Sequence, residues 1–166
     1  WIYDPTPAFS YGLNIYLEYK DFDLTMFWQG VQGVDVISDL KKETDLWSGL
    51  NIGFLNKGKR VLNAWSPTNP NSTIPALSRS DTNNEKRVST YFVENGSFLK
   101  LRNIQLGYNV PKTFAQKMKM ERLRFYLSAQ NVFTIKSKEF TGVDPENANY
   151  GYPIPMNITF GINVGF

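Results

Sequence analysis

The last eleven residues, 156–166, alternate strictly between apolar side chains and polar or small ones. The apolar set occupies the even positions: Met156, Ile158, Phe160, Ile162, Val164 and Phe166. The odd positions carry only Asn, Thr and Gly. Because successive side chains of a strand point to opposite faces, this period of two predicts a β-strand with one apolar face. The small polar residues suit a wet or closely packed second face.

The same period of two occurs earlier in the chain. Four further alternating runs precede the last one, at residues 9–19, 22–28, 97–110 and 122–133. The polar pair Lys20-Asp21 separates the first two runs, which predicts a β-hairpin. In the third run the apolar phase slips near Arg102-Asn103, a sign of a β-bulge. Aromatic residues gather near several run ends, as in the interfacial girdles of membrane barrels, although aromatics favour strands in general.

The connections between the five predicted strands alternate in length. Lys20-Asp21 is a tight turn, and residues 111–121 have a helical spacing that predicts one or two helical turns beginning near their proline. The other two connections, residues 31–96 and 134–155, are long, with a short helix predicted over 39–50. Outer-membrane β-barrels alternate short periplasmic turns with long extracellular loops in the same way.

The composition excludes several classes of function. The 166 residues include no Cys and no His, which excludes disulfides, thiol nucleophiles, His-containing catalytic triads and the usual zinc sites. A formal net charge of +3 is too small to indicate nucleic acid as a partner. With 42% hydrophobic and 15% aromatic residues the chain is too apolar to be disordered. No stretch of about 18 apolar residues predicts a transmembrane helix.

Five strands with one apolar face do not make a complete barrel. Closed barrels begin at about eight strands. The first and last predicted strands would each leave an unpaired edge beside a lipid-like face. The pattern therefore predicts a fragment of a larger transmembrane barrel.

Several segments also carry motifs. In chain order they are YKDFDL at 19–24, QG at 29–30, WSPTNP at 65–70, FLKLRNIQLGYNVP at 98–111, RFYLSAQNVFT at 124–134, GVDPE at 142–146, YP at 152–153 and TFGINVGF at 159–166. In this order they resemble segments of the SusC/RagA-type TonB-linked outer-membrane proteins, and the resemblance covers nearly the whole chain. One departure is Pro155-Met156-Asn157, where the family usually has Pro-Arg.

The resemblance implies an all-β fold, namely the last five strands of a plugged antiparallel transmembrane β-barrel of about 22 strands. It assigns residues 1–166 to the C-terminal part of the barrel and residues 31–96 and 134–155 to long extracellular loops. It also implies one short periplasmic helix and a periplasmic C-terminus. The plug domain and the TonB box of the family have no counterpart in these residues.

The resemblance also implies a function, which is outer-membrane import of oligosaccharide or peptide without enzymatic activity or a cofactor. The implied partners are a SusD-like surface lipoprotein that covers the loops, the TonB complex, the β-barrel assembly machinery and outer-membrane lipid. Nucleic acid is not among them.

Individual residues are candidates for roles in such a protein. Phe166, a terminal aromatic after an alternating strand, is similar to the signal for the β-barrel assembly machinery, and the alternative is packing on lipid. Five aromatic residues of the long connections could stack on sugar rings or contact the lipoprotein: Trp47, Trp65, Tyr91, Tyr150 and Tyr152. Packing within the loops is the favoured alternative for each. Arg122, Arg124 and Glu18 could line the lumen or contact the plug, although a solvated face is favoured for each.

A secreted β-sandwich that binds carbohydrate is the alternative from another class. It accounts for strands and loop aromatics, but not for the alternating connection lengths, and five strands hardly supply two sheets. A glycosidase would need two carboxylates converging at about 5–10 Å. The spacing positions no carboxylate pair in that way, the pairs being Asp35 with Asp39, Glu43 with Asp45, and Asp144 with Glu146.

Overall fold

The computed structural model describes residues 2–46, 57–78, 84–148 and 151–166. These residues fold into two compact units. The first, called the sheet unit, comprises Ala8–Gln32, Ser97–Lys136 and Ile154–Phe166. The second, called the loop unit, comprises the described parts of Trp1–Pro7, Gly33–Gly96 and Ser137–Pro153.

Strands dominate the secondary structure. In chain order the strands are β1 (Phe9–Tyr19), β2 (Phe22–Gln32), β3 (Asp35–Ile37), β4 (Val93–Asn95), β5 (Phe98–Asn109), β6 (Arg122–Lys136) and β7 (Asn157–Gly165). The α-helices are α1 (Asp39–Thr44) and α2 (Lys112–Lys117), and 3₁₀-helices span Lys59–Asn63 and Thr90–Phe92. Among the residues described, no helix is long and apolar enough to cross a membrane.

The sheet unit is one open antiparallel sheet in the order β1-β2-β5-β6-β7. The five predicted strands are confirmed, with changes at their ends: β2 and β6 each extend three or more residues further than predicted. The predicted hairpin turn at Lys20-Asp21 is confirmed, because Tyr19 pairs directly with Phe22. The predicted bulge is also confirmed, since the pairing of β5 with β6 shifts between Leu101 and Asn103.

Both predicted helices form, and both are shorter than expected. In place of 111–121, α2 spans Lys112–Lys117 after Pro111 at its N-cap. In place of 39–50, α1 spans Asp39–Thr44, and the remainder of that prediction from residue 47 onward lies outside the described residues. The Ser38 side chain accepts a hydrogen bond from the Lys41 backbone N–H and thereby caps α1.

One face of the sheet is apolar across all five strands. Residues directly paired across antiparallel strands share a face, so the register places side chains in rows. One row consists of Leu17, Leu24, Leu106, Leu127 and Phe160, and the next of Ile15, Met26, Ile104, Ala129 and Ile158. Much of this face is open, with Leu17 55% and Phe160 65% exposed. Ring contacts join its neighbours, as between Phe22 and Tyr108 with centroids 4.9 Å apart.

The loop unit has its own elements and its own core. Strands β3 and β4 form a separate two-stranded antiparallel sheet. The buried apolar side chains of the unit are Leu46, Ile74, Phe92 and Phe140. These residues come from both long connections, because Phe140 lies in the second and the other three lie in the first. The two connections therefore fold as one body.

Candidate functional site

An ion pair spans three strands on the polar face of the sheet. Asp23 lies on β2 and Arg124 on β6, with β5 between them. Arg124 donates from Nη2 to Asp23 Oδ2 at 2.5 Å and from Nε to Asp23 Oδ1 at 3.1 Å. Asn109 of β5 donates its side-chain N–H to Asp23 Oδ1 at 3.0 Å. A bidentate pair of this kind fixes the orientation of both side chains.

Gly107 leaves room for this ion pair. It lies on β5 directly opposite Asp23 on one side and Tyr126 on the other. A Cβ atom at position 107 would collide with the Arg124 guanidinium and with both carboxylate oxygens of Asp23. The absence of a side chain therefore allows Arg124 to reach across the middle strand.

In the loop unit, the Glu94 side chain joins the first long connection to the second. Glu94 lies on β4 and is only 3% exposed. Its Oε1 lies 3.0 Å from Lys41 Nζ and accepts a hydrogen bond from Thr141 Oγ1 at 2.7 Å. Its Oε2 accepts from the Thr141 backbone N–H at 2.9 Å. Thr141 belongs to the second long connection. The buried carboxylate of Glu94 therefore holds a residue that lies 47 positions further along the chain.

A second buried carboxylate, Asp45, holds Tyr91. The Tyr91 hydroxyl donates to Asp45 Oδ2 at 2.6 Å, and Arg60 Nε lies 3.3 Å from the same oxygen. Burial raises the pKa of the Tyr91 hydroxyl well above its usual range, and the hydrogen bond to Asp45 raises it further. Lys41 Nζ lies 5.3 Å from the centre of the Tyr91 ring. Tyr91 thus contributes to the framework of the loop unit.

The loop unit also has an open cavity of about 410 Å³. Its walls include Leu40 of α1 and, from the second connection, Val143, Asp144, Asn147 and Tyr152. The polar side chains in its wall have partners within the protein. Asp144 Oδ1 accepts from the Glu146 backbone N–H at 3.1 Å, and Asn147 donates its side-chain N–H to the Tyr152 carbonyl at 3.3 Å.

The predicted contact residues in the long connections differ in their surroundings. Tyr152 is 96% exposed at the cavity, and Trp65 is 44% exposed. The Trp65 backbone N–H donates to the Ile74 carbonyl at 2.8 Å, which closes a turn. Tyr91 is half-buried. Trp47 and Tyr150 lie outside the described residues, and a role in contacting cargo or lipoprotein stays a prediction for all five.

The residues predicted on the strands also differ in their surroundings. Phe166 follows β7 and is 86% exposed, and its role as an assembly signal stays a prediction. Arg122 and Glu18 are exposed on β6 and β1. Arg124 is not merely solvated, because its guanidinium is held by Asp23.

Two of the carboxylates weighed against glycosidase chemistry have structural partners. Asp45 holds Tyr91 and Arg60, and Asp144 caps the turn to Glu146. Within the four described ranges, no group of three or more Asp or Glu side chains is arranged to hold a metal ion.

Sequence reasoning missed the residues that hold the loop unit together, which are Lys41, Glu94 and Thr141. They were not singled out because no motif marks them, and each is a common surface residue type. The partner of Arg124 was also missed. The sequence signal for this partner was Gly107. It lies within the predicted strand at 97–110, at a position where the alternation would otherwise call for a side chain.

The chain is similar in sequence to known receptors. It is 34% identical over 179 aligned residues to TonB-dependent receptor P3 of Formosa agariphila, covering 98% of this chain and 17% of that receptor. It is 31% identical to TonB-dependent receptor SusC of Bacteroides thetaiotaomicron, covering 93% of this chain and 15% of that receptor. No family model matches the chain. The chain thus spans only about a sixth of the length of these relatives.

The fold supports the same assignment. The chain superposes on part of a solved structure of the RagAB peptide importer in the closed-closed state with a TM-score of 0.78 and 28% sequence identity. The match covers 97% of this chain and 17% of that one. The resemblance drawn from the motifs is confirmed by both comparisons. The chain therefore belongs to the SusC/RagA-type family of TonB-dependent receptors.

Proposed function

We propose that this chain forms part of the wall and the outer loops of a TonB-dependent importer in the outer membrane. The observation that carries the proposal is the apolar face of the open sheet, which is continuous over five strands and largely exposed. A soluble sandwich would cover such a face with a second sheet. Lipid is the partner that suits an apolar face backed by a polar one.

Strand lengths agree with a membrane crossing. β1 and β2 have 11 residues each, and a tilted transmembrane strand needs about 9–11. The remaining strands of a closed barrel of about 22 strands, together with the plug, would come from the part of the receptor that these residues do not represent. In this proposal Phe166 is the signal that the β-barrel assembly machinery recognises.

The ends of the sheet indicate an orientation. The hairpin turn at Lys20-Asp21 and the connection with α2 leave one end of the sheet, and both long connections leave the other. Short connections are periplasmic and long ones extracellular in outer-membrane barrels. The proposal therefore places α2 and the C-terminus in the periplasm and the loop unit, with residues 33–96 and 137–153, outside the cell. The polar face with Asp23 and Arg124 would then line the lumen or meet the plug.

Partners and cargo follow from the relatives. A SusD/RagB-type lipoprotein would cover the loop unit, and the TonB complex would act through the plug. The resemblance implies oligosaccharide or peptide as cargo, and one structure similar to this chain is that of a peptide importer. Tyr152 and Trp65, both exposed, are the described aromatic residues best placed for such contacts.

Membrane fractionation of the source cells tests the proposal. An antibody to residues 57–78 should detect an outer-membrane band on the order of 100 kDa, since the chain of 19.1 kDa spans 17% of a relative. The band should migrate differently with and without boiling, because folded barrels resist unfolding in detergent. A soluble band of 19.1 kDa that does not shift on boiling would favour the carbohydrate-binding sandwich instead.

A further inference from the structure

Thr141 is held to the rest of the loop unit mainly through its neighbour on β4. Glu94 accepts hydrogen bonds from both the backbone N–H and the hydroxyl of Thr141. The Ser38 hydroxyl lies 3.4 Å from the Thr141 hydroxyl and adds one longer contact. Two short bonds to one buried carboxylate are charge-assisted and therefore stronger than bonds between neutral groups.

The other partner of Glu94 is equally fixed. Lys41 Nζ lies 3.0 Å from Glu94 Oε1 and donates to the Tyr91 carbonyl at 3.0 Å. The Lys41 side chain is 12% exposed and that of Glu94 is 1% exposed. A carboxylate this buried requires its partners, because removing any of them leaves a polar group without water. The three side chains therefore hold one another in a single arrangement.

We propose that Glu94 is a positioning residue that fixes the second long connection against α1 of the first. The cavity of the loop unit depends on this position. Leu40 of α1 supplies one wall, while Val143 and Tyr152 of the second connection supply another. Thr141 precedes Val143 by two residues, so the bonds to Glu94 set where this wall begins. If the second connection were released, the walls would separate and the cavity would lose its shape.

This inference deepens the proposed function, and it rests on it in one respect: the cavity is taken to be part of the surface that faces cargo or lipoprotein. The positioning itself concerns contacts inside the loop unit. It can therefore be tested without any assay of import.

The test is amide hydrogen exchange of the full-length receptor, purified from the outer membrane, with substitutions at Glu94. Glu94→Ala should speed exchange across residues 137–148 at least tenfold and leave residues 57–78 unchanged. Glu94→Gln keeps one acceptor oxygen for Thr141 but loses the charge that faces Lys41, so exchange should fall between wild type and Glu94→Ala. A loss of general stability would instead speed exchange in both segments.

A matched control is available on α1. Asp39 forms an ion pair with Lys42 at 3.0 Å, but both residues lie on the same helix and do not join the two connections. Asp39→Ala should leave exchange of residues 137–148 within twofold of wild type. Equal acceleration by Asp39→Ala and Glu94→Ala would overturn the proposal.

A second variant keeps the test decisive if Glu94→Ala does not assemble. Thr141→Val removes the hydroxyl while it leaves Lys41 and Glu94 paired, and it should speed exchange of residues 137–148 at least threefold. Unchanged exchange there in a receptor that retains its heat-dependent gel shift would overturn the positioning role. The fractionation experiment could instead find the protein soluble. If its Glu94 variants then still speed exchange of residues 137–148, the importer is overturned and the positioning role stands.

Discussion

Arg124 on β6 reaches over β5 and binds the carboxylate of Asp23 on β2 through two hydrogen bonds, at 2.5 and 3.1 Å. The two residues are 101 positions apart in the chain. Their pairing ties together three strands at the end of the sheet that carries the short connections. It also explains why a strand with strong alternation has a glycine at position 107.

Gly107→Ala should weaken this ion pair, because the added methyl group occupies the space between the two side chains. We expect a loss of about 1–3 kcal/mol in the free energy of unfolding, the usual cost of leaving polar groups without their partners. The readout is the temperature at which heated samples of the receptor lose the folded band on a gel. This temperature should fall in Gly107→Ala. Gly165→Ala is the control, since a Cβ atom there meets only ordinary contacts. Equal effects of both substitutions would contradict the account.

Ile162→Arg should impair assembly of the barrel far more than Asn163→Arg. Ile162 lies on the apolar face opposite Phe125, whereas Asn163 lies on the polar face opposite Arg124. A charge on the lipid side costs about 2–4 kcal/mol at the bilayer midplane and less near its surfaces. The yield of heat-shifting receptor in the outer membrane is the measurement. Similar yields for the two variants would show that the faces are assigned wrongly.

Tyr91→Phe should destabilise the loop unit, because the buried Asp45 carboxylate loses the donor at 2.6 Å. We expect a cost of about 1–3 kcal/mol at neutral pH. The raised pKa of Tyr91 adds a pH dependence. Its folded-state pKa exceeds the unfolded value of about 10, so the stability that it contributes is present below pH 10 and is lost as the pH rises further.

Limited proteolysis of the loop unit between pH 8 and 11 measures this dependence. Wild type should become more sensitive to the protease above about pH 10, and Tyr91→Phe should show a smaller change over the same interval. Parallel pH profiles would mean that the Tyr91 hydroxyl does not govern this step.

Tyr152→Ala should affect binding and leave folding intact. The ring is 96% exposed, so its removal should change the free energy of unfolding by no more than about 0.5 kcal/mol. Its position at the cavity makes a contact with cargo or lipoprotein the expected role. Co-purification of the lipoprotein and cargo uptake by cells are the two readouts. If both equal wild type, Tyr152 is not a contact residue.

Alternation along the chain was sufficient to predict the five strands, the hairpin and the bulge. These features depend on local order, because the face of each side chain follows from its position in its own strand. The slip near Arg102 was visible for the same reason: the bulge changes the phase of neighbouring residues. The motifs then identified the family.

The organisation of the loop unit could not be predicted in that way. Glu94 meets Thr141 across 47 positions, and Tyr91 meets Asp45 across 46. Neither distance leaves a period in the sequence. Tyr91 resembled Trp65 and Tyr152 as an aromatic residue of a long connection, but its hydroxyl is bound inside the unit. Burial and pairing at long range decide such cases, and composition does not reveal them.

The central claim is that the apolar face of the sheet meets lipid and the polar face meets water. Because these 166 residues contain no Cys, a cysteine introduced along β7 is the single one in this part of the receptor. Its labelling by a water-soluble maleimide can be followed in intact outer membranes and compared with that of the receptor without the introduced cysteine. Positions 158, 160 and 162 should react slowly and positions 157, 159 and 163 quickly, since a thiol in lipid does not ionise. Equal labelling at all six positions, or the reverse alternation, would contradict the account.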